Sequence, residues 1–92
     1  MGKYSVNMTS DAREDLRRIH KSGNQATIKK IEKIFKELSE DPRHGSGNPE
    51  QLKFTNGIWS RRLDQKNRLR YVIQEDVVTV IVLSALGHYA DK

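Results

Sequence analysis

The apolar residues of this 92-residue chain change their spacing once, and that change decides the class of fold. Between Ala12 and Leu38 they recur at helical intervals. Ala12, Leu16 and Ile19 stand at i, i+4 and i+7, and Ile28, Ile31, Ile34, Phe35 and Leu38 form a second stripe over Gln25 to Glu40. Gly23 and Asn24 separate the two. Thr9 or Ser10 can cap the first helix, with Asp11, Glu14 and Asp15 in its opening turns, where the helix dipole favours acids. Ahead of it, Tyr4 to Met8 alternates like a short strand. From Glu50 onward the pattern is strand-like. Leu52 to Phe54 is followed by a turn at Asn56-Gly57, and Ile58 to Leu63 and Arg68 to Gln74 form a hairpin around Asp64-Gln65-Lys66-Asn67. Val77 to Ala85 is apolar on both faces and reads as a buried central strand. The order β-α-α-β-β-β predicts an α+β fold: an antiparallel sheet with two helices packed on one face and the other face partly open.

Hydrophobic residues make up 35% of the chain, so the core must be thin, one sheet under one layer of helices. At this length a single domain over 1–92 is expected. With no cysteine there is neither a disulfide framework nor a thiolate zinc site. The longest apolar run, Val77 to Leu86, is too short to span a bilayer, and the N-terminus carries no secretory signal pattern. The expected location is therefore cytoplasmic, away from membranes.

The net charge of +5 is concentrated in one segment. Between Gln51 and Val72 stand Lys53, Arg61, Arg62, Lys66, Arg68 and Arg70 against Asp64 alone, while the remaining 11 basic and 11 acidic residues cancel. A focused positive patch suits a polyanion, because its field adds where the ligand sits. The lysines on the second helix read instead as a solvated face. Gly45-Ser46-Gly47 is not a phosphate loop, since no strand precedes it and no Gly-Lys-Ser/Thr follows, so its glycines read as turn residues.

Strand parity sorts the hairpin. Leu69, Tyr71 and Ile73 should face the helices, and Arg68, Arg70 and Val72 should face away. Arg62 then shares the open face with Arg68 if the loop has an odd length. Trp59 and Leu63 fall on the helix side. Arg61 falls there too, which would place it at an edge or beside a bulge. Metal-free RNA cleavage needs a base for the 2′-hydroxyl, fixed cations for the phosphate and an acid for the leaving oxygen. Arginine suits the phosphate because its fork meets two oxygens and stays charged. Glu50, Arg62, Arg68, His88 and Tyr89 supply a carboxylate, two guanidiniums, an imidazole and a phenol. His20 and His44 join no such set. Asp11 and Asp15 are spaced like metal ligands but read as helix-start acids, so no metal or other cofactor is expected.

Four segments carry a likeness: Gly47-Asn48-Pro49-Glu50-Gln51-Leu52-Lys53, Trp59-Ser60-Arg61-Arg62-Leu63, Asn67-Arg68-Leu69-Arg70-Tyr71 and His88-Tyr89. In order and spacing they resemble the YoeB (Txe) family of toxins in the RelE superfamily. The resemblance implies a compact α+β toxin that cleaves mRNA in the ribosomal A site. Glu50 would be the general base, His88 the general acid or a leaving-group stabiliser, Arg62 and Arg68 the phosphate clamp, and Tyr89 a residue that stacks on the substrate. Lys53, Arg61, Lys66 and Arg70 would add RNA contacts. The implied partners are the ribosome with its mRNA and a YefM-like antitoxin, and both a monomer and a homodimer stay open. The chain departs from the pattern at Ala90-Asp91-Lys92, which follow the usual final tyrosine, at Asn67, where histidine is common, and in a first helix without aromatic residues. Two other functions compete: a gyrase-poisoning ParE-like toxin on the same scaffold, and a nucleic-acid-binding module without catalysis. Neither gives a reason for a carboxylate and an imidazole to flank the basic hairpin.

Overall fold

The computed structural model describes residues 3–53, 57–65 and 67–86. Strand β1 (Ser5–Met8) leads into helices α1 (Ser10–Ser22) and α2 (Gln25–Glu40), followed by strands β2 (Glu50–Gln51), β3 (Ile58–Arg62) and β4 (Arg68–Gln74). A single 3-10 turn at Glu75–Val77 precedes β5 (Thr79–Ser84). The helices start where their caps dictate. Thr9 Oγ1 accepts from the Ala12 N–H at 3.1 Å, and Asn24 Oδ1 accepts from the Thr27 N–H at 3.2 Å. Asn24 therefore starts α2 as well as separating the helices. None of the described helices is long and apolar enough to cross a membrane.

The five strands form one sheet in the order β1-β5-β4-β3-β2. Its core side carries Leu69, Tyr71, Val80 and Val82, packed with Ala12 and Ile19 of α1 and Ile28, Ile34 and Leu38 of α2. Trp59, Ile73 and Phe35 pack against this cluster while keeping some exposure. The helix stripes and the strand parity thus meet as the sequence predicts, and the fold is α+β.

Three details differ from expectation. The sheet is mixed, because β1 pairs with β5 in parallel, Val6 beside Val80 and Met8 beside Val82. Apolar alternation assigns faces but is the same in either strand direction, so it cannot report this. Second, β2 adds a fourth strand after the helices; it opens at Glu50, where the strand-like pattern begins, but ends at Gln51 instead of running on through Leu52. Two residues held by backbone pairing to β3, with the Leu52 N–H donating to Ile58 O at 2.8 Å, leave no alternating pattern to detect. Phe54 lies outside the described residues. Third, the last strand begins at Thr79. Val77 and Val78 are 59% and 38% exposed, and Val78 holds φ 47°, because the reversal from β4 to β5 falls on them.

Candidate active site

The β3–β4 hairpin sets the site. Its register pairs Arg62 with Arg68, Arg61 with Leu69, Ser60 with Arg70 and Trp59 with Tyr71. Residues 63–67 form an odd five-residue connection, so Arg62 and Arg68 stand opposite each other on the same face. Directly paired side chains share a face. The row Glu50, Ser60, Arg70, Ser84 therefore crosses β2, β3, β4 and β5 on the open side. Two interstrand steps, about 10 Å, separate the backbones of β2 and β4. The two long side chains close that gap: Arg68 Nη1 lies 3.4 Å from Glu50 Oε2. Ser60 lies between them and is small and buried, so it forms a low floor beneath the pair. Arg62 is exposed beside them, and Arg68 is half-buried.

Arg70 is half-buried on this face, at a register shift. β4 pairs Arg70 with Ser84 but Tyr71 with Val82, which leaves Leu83 as an extra residue on β5. The bulge falls between the Arg70 and Tyr71 rungs of the ladder. The expected bulge beside Arg61 is absent, since β3 and β4 pair in continuous register through it. Lys53 is exposed, two residues after β2. Lys66, His88 and Tyr89 lie outside the described residues.

Arg61 corrects the expectation of an RNA contact. Its position on the helix-facing side holds, but at the interior rather than at an edge, and it is 0% exposed. Every arm of its guanidinium is used. Nε donates to the Tyr71 hydroxyl at 3.1 Å, and Nη1 donates to Glu37 Oε1 at 2.8 Å and to Ser46 O at 3.3 Å. Nη2 donates to His44 O, Pro42 O and Asp41 O at 2.9, 3.2 and 3.4 Å. A buried guanidinium is tolerable only when its charge and its donors are met, and here both are. The Tyr71 hydroxyl in turn donates to Pro42 O at 2.7 Å.

Glu37 completes this bracket. It accepts from the Ser46 N–H at 2.7 Å and the Ser46 hydroxyl at 2.9 Å as well as from Arg61. Partial burial pushes its carboxyl up, but the two Ser46 hydrogen bonds and the Arg61 charge outweigh that and hold it below the ordinary value. Burial pushes the Tyr71 phenol up, against the pull of Arg61. The glycines on the bracketed loop are more than turn residues. A Cβ on Gly45 would collide with the Glu37 carboxylate and Arg61 Nη1, and one on Gly47 would lie 2.7 Å from the Arg62 carbonyl. Sequence reasoning missed Glu37 and the structural part played by Tyr71. The only available signal was a lone arginine at a helix-facing strand position, which demands a buried acid.

Asp15 also departs from its expected part at the helix start. It is buried, and its Oδ2 accepts from the Ala85 and Leu86 N–H groups at 3.0 and 3.3 Å, which ties α1 to the chain leaving β5. His44 stays outside the site, with Nδ1 2.9 Å from Asp41 Oδ2.

A basic, exposed sheet face that gathers one carboxylate and two opposed guanidiniums can bind a phosphodiester and take a proton beside it. Comparison with known proteins places relatives of this chain among bacterial toxins. A family model for YoeB-like toxins of bacterial type II toxin-antitoxin systems matches residues 8–89. Toxin YoeB of Mycobacterium bovis is 38% identical over 86 residues, covering 92% of this chain and 98% of that relative. A YoeB dimer from Staphylococcus aureus superposes with a TM-score of 0.78 at 26% identity, over 95% of this chain and 99% of the other. The heterotetrameric YoeB-YefM complex from Staphylococcus aureus gives 0.75 at 27% identity, over 94% and 98%.

Proposed function

Because the chain belongs to the YoeB-like toxins of bacterial type II toxin-antitoxin systems, we propose that it is a ribosome-dependent endoribonuclease that cuts mRNA in the ribosomal A site. The observation that carries this is the Glu50–Arg68 contact at 3.4 Å with Arg62 opposite Arg68 on the open face. Glu50 takes the proton of a ribose 2′-hydroxyl. The freed oxygen attacks the adjacent phosphorus, forming the P–O2′ bond as the P–O5′ bond breaks. Arg62 and Arg68 hold the phosphate oxygens as negative charge builds, which is where fixed guanidiniums help most. By the family likeness, His88 protonates the departing 5′-oxygen and Tyr89 stacks on a base. The products are a 2′,3′-cyclic phosphate, or the 3′-phosphate it opens to, and a free 5′-hydroxyl. No step calls on a metal.

Arg68 serves two ends in this scheme. In the free protein it neutralises Glu50, and an incoming phosphate competes for it. The carboxylate is released toward the sugar as the phosphate binds. That coupling suits an enzyme whose site is completed only by RNA on the ribosome, and it predicts little cleavage of free RNA. By likeness to the Staphylococcus aureus assemblies, the chain is held inactive by a YefM-like antitoxin and can form a homodimer.

The test is reconstituted translation with mRNA 5′ ends mapped, using wild type, Glu50→Ala and His88→Ala. The expected result is cleavage at the A-site codon, reduced about 10²–10⁴-fold by either substitution, the range for loss of a general base or acid. Arrested translation with intact mRNA would overturn the proposal and redirect attention to DNA gyrase and to plain binding.

A further inference from the structure

We propose that Glu37 and Arg61 are positioning residues for this reaction, setting the loop of residues 41–49 that delivers Glu50 to Arg68. The inference rests on the endoribonuclease function proposed above. The loop is not one the chain would hold unaided. Gly45, Gly47 and Asn48 sit at φ 132°, 83° and 54°, and Asn48 does so directly before Pro49. A non-glycine residue in the left-handed region next to a proline is a conformation an isolated segment avoids. Such geometry persists when surrounding structure imposes it.

The imposing structure is the buried bracket. Arg61 gathers four carbonyls, those of Asp41, Pro42, His44 and Ser46, onto one guanidinium. Glu37 takes the two donors of Ser46 and neutralises the Arg61 charge. The Arg62 N–H then donates to Gly47 O at 2.7 Å. These ties end three residues before Glu50, whose own backbone pairs with Ser60. Ser60, Arg61 and Arg62 are consecutive, so one stretch of β3 pairs with the strand carrying the base, anchors its loop and presents the phosphate clamp. Slipping the loop along β3 displaces Glu50 from Arg62 and Arg68 together. A displacement of about 1 Å is enough to cost on the order of 10² in rate.

The experiment compares wild type, Glu37→Gln, Arg61→Lys and Gly47→Ala on bacterial ribosomes programmed with one defined mRNA, well below each protein's unfolding midpoint. Ile34→Val, a core change on α2, is the control for lost stability alone. We expect kcat to fall roughly 10–100-fold in the three loop variants while KM stays within about threefold, the signature of misplaced chemistry rather than weakened binding. Ile34→Val should keep the wild-type kcat. Gly47→Ala keeps both bracket side chains and presses on β3 itself, its Cβ falling 2.7 Å from the Arg62 carbonyl and 3.2 Å from Arg61 Cβ and the Arg62 N, so it carries the test if Arg61→Lys does not fold. Amide exchange on the same proteins reads the loop directly. Ser46 and Arg62 amides exchanging at least about tenfold faster in Glu37→Gln than in wild type supports positioning. Unchanged exchange, or loop variants with wild-type kcat, overturns it. A wild type that cuts no mRNA would instead sink the endoribonuclease function, and the exchange result would still decide whether the bracket sets the loop.

Discussion

Arg61 and Arg62 are adjacent, chemically identical and opposite in use. One strand step turns Arg61 toward the helices, where Tyr71, Glu37 and four backbone carbonyls satisfy all its donors and leave it 0% exposed. The same step turns Arg62 outward, opposite Arg68, on a face whose Glu50 is the acid Arg68 meets. The difference teaches where a positive charge does work. A guanidinium whose hydrogen bonds are all made inside the fold holds structure and has nothing left to give a ligand. A guanidinium kept in solvent beside a second one has donors to spare, and repulsion between the two is relieved by an anion. The basic segment is therefore not a uniform RNA surface. Of its described arginines, Arg62 and Arg68 pair on the open face as the proposed clamp, Arg70 shares that face, and Arg61 belongs to the core.

The largest effect should come from exchanging the roles the two arginines play. Arg61→Ala removes the counter-charge of Glu37 and one donor from each of four carbonyls, and breaking a buried pair in this way costs about 3–5 kcal/mol. Urea unfolding would read this as a midpoint shift with cooperativity retained. Arg62→Ala should leave the midpoint within roughly 0.5 kcal/mol of wild type, as exposed substitutions do. Its cost should appear in mRNA cleavage, about 10²–10³-fold, the range for removing one preorganised group from a developing anion. If Arg61→Ala unfolds at the wild-type midpoint, or Arg62→Ala cleaves normally, the division between the two neighbours fails.

How much of this was legible follows from which interactions leave a trace in one sequence. Helix stripes, the hairpin and the Arg62–Arg68 face could be read because burial imposes a period on the residues, and the odd connection then fixes the register. The direction of β1 imposes no period and was not readable, and a strand opening at Glu50 was readable but its stop at Gln51 was not. Arg61 is the instructive case. Parity placed it on the helix side, but its basic chemistry suggested the surface, and parity was right. The acid that made its burial tolerable, Glu37, lies 24 residues away on α2, a separation no local pattern spans. Asp15 is similar, since its partners are the backbone of Ala85 and Leu86, 70 and 71 residues on. Within the described residues the shared face of Arg62 and Arg68 was legible and the scaffold beneath it was not.

The buried side of the comparison should also respond to pH. Glu37 sits below its ordinary value of 4.5, so its contribution is fully present above that pH and is lost as pH falls through the lowered value. Tyr71 sits above its ordinary 10.0, so its contribution is present below that pH and is lost as pH rises beyond it. Wild type should therefore lose stability at both extremes. Glu37→Gln should flatten the acid limb, and Tyr71→Phe the alkaline limb. Unfolding midpoints at closely spaced pH values check both. Acid limbs of equal slope in wild type and Glu37→Gln would assign that loss to other carboxylates.

The smallest effect belongs to the exposed pair, and it sharpens the contrast from the other end. Glu50 and Arg68 meet at 3.4 Å, but their side chains are 53% and 41% exposed. Solvent screens such a pair, and holding two long side chains together offsets much of the attraction, so it contributes about 0–1 kcal/mol. A double-mutant cycle over Glu50→Ala and Arg68→Ala should give a stability coupling in that range, falling further as salt rises. The same cycle read in cleavage rate should be strongly non-additive, because in the proposed reaction the two residues act on one phosphodiester and losing either disables the step. A stability coupling of several kcal/mol would mean that Glu50 is held for the fold as Glu37 is. Additive rate effects would mean that Glu50 and Arg68 do not act together on the same bond.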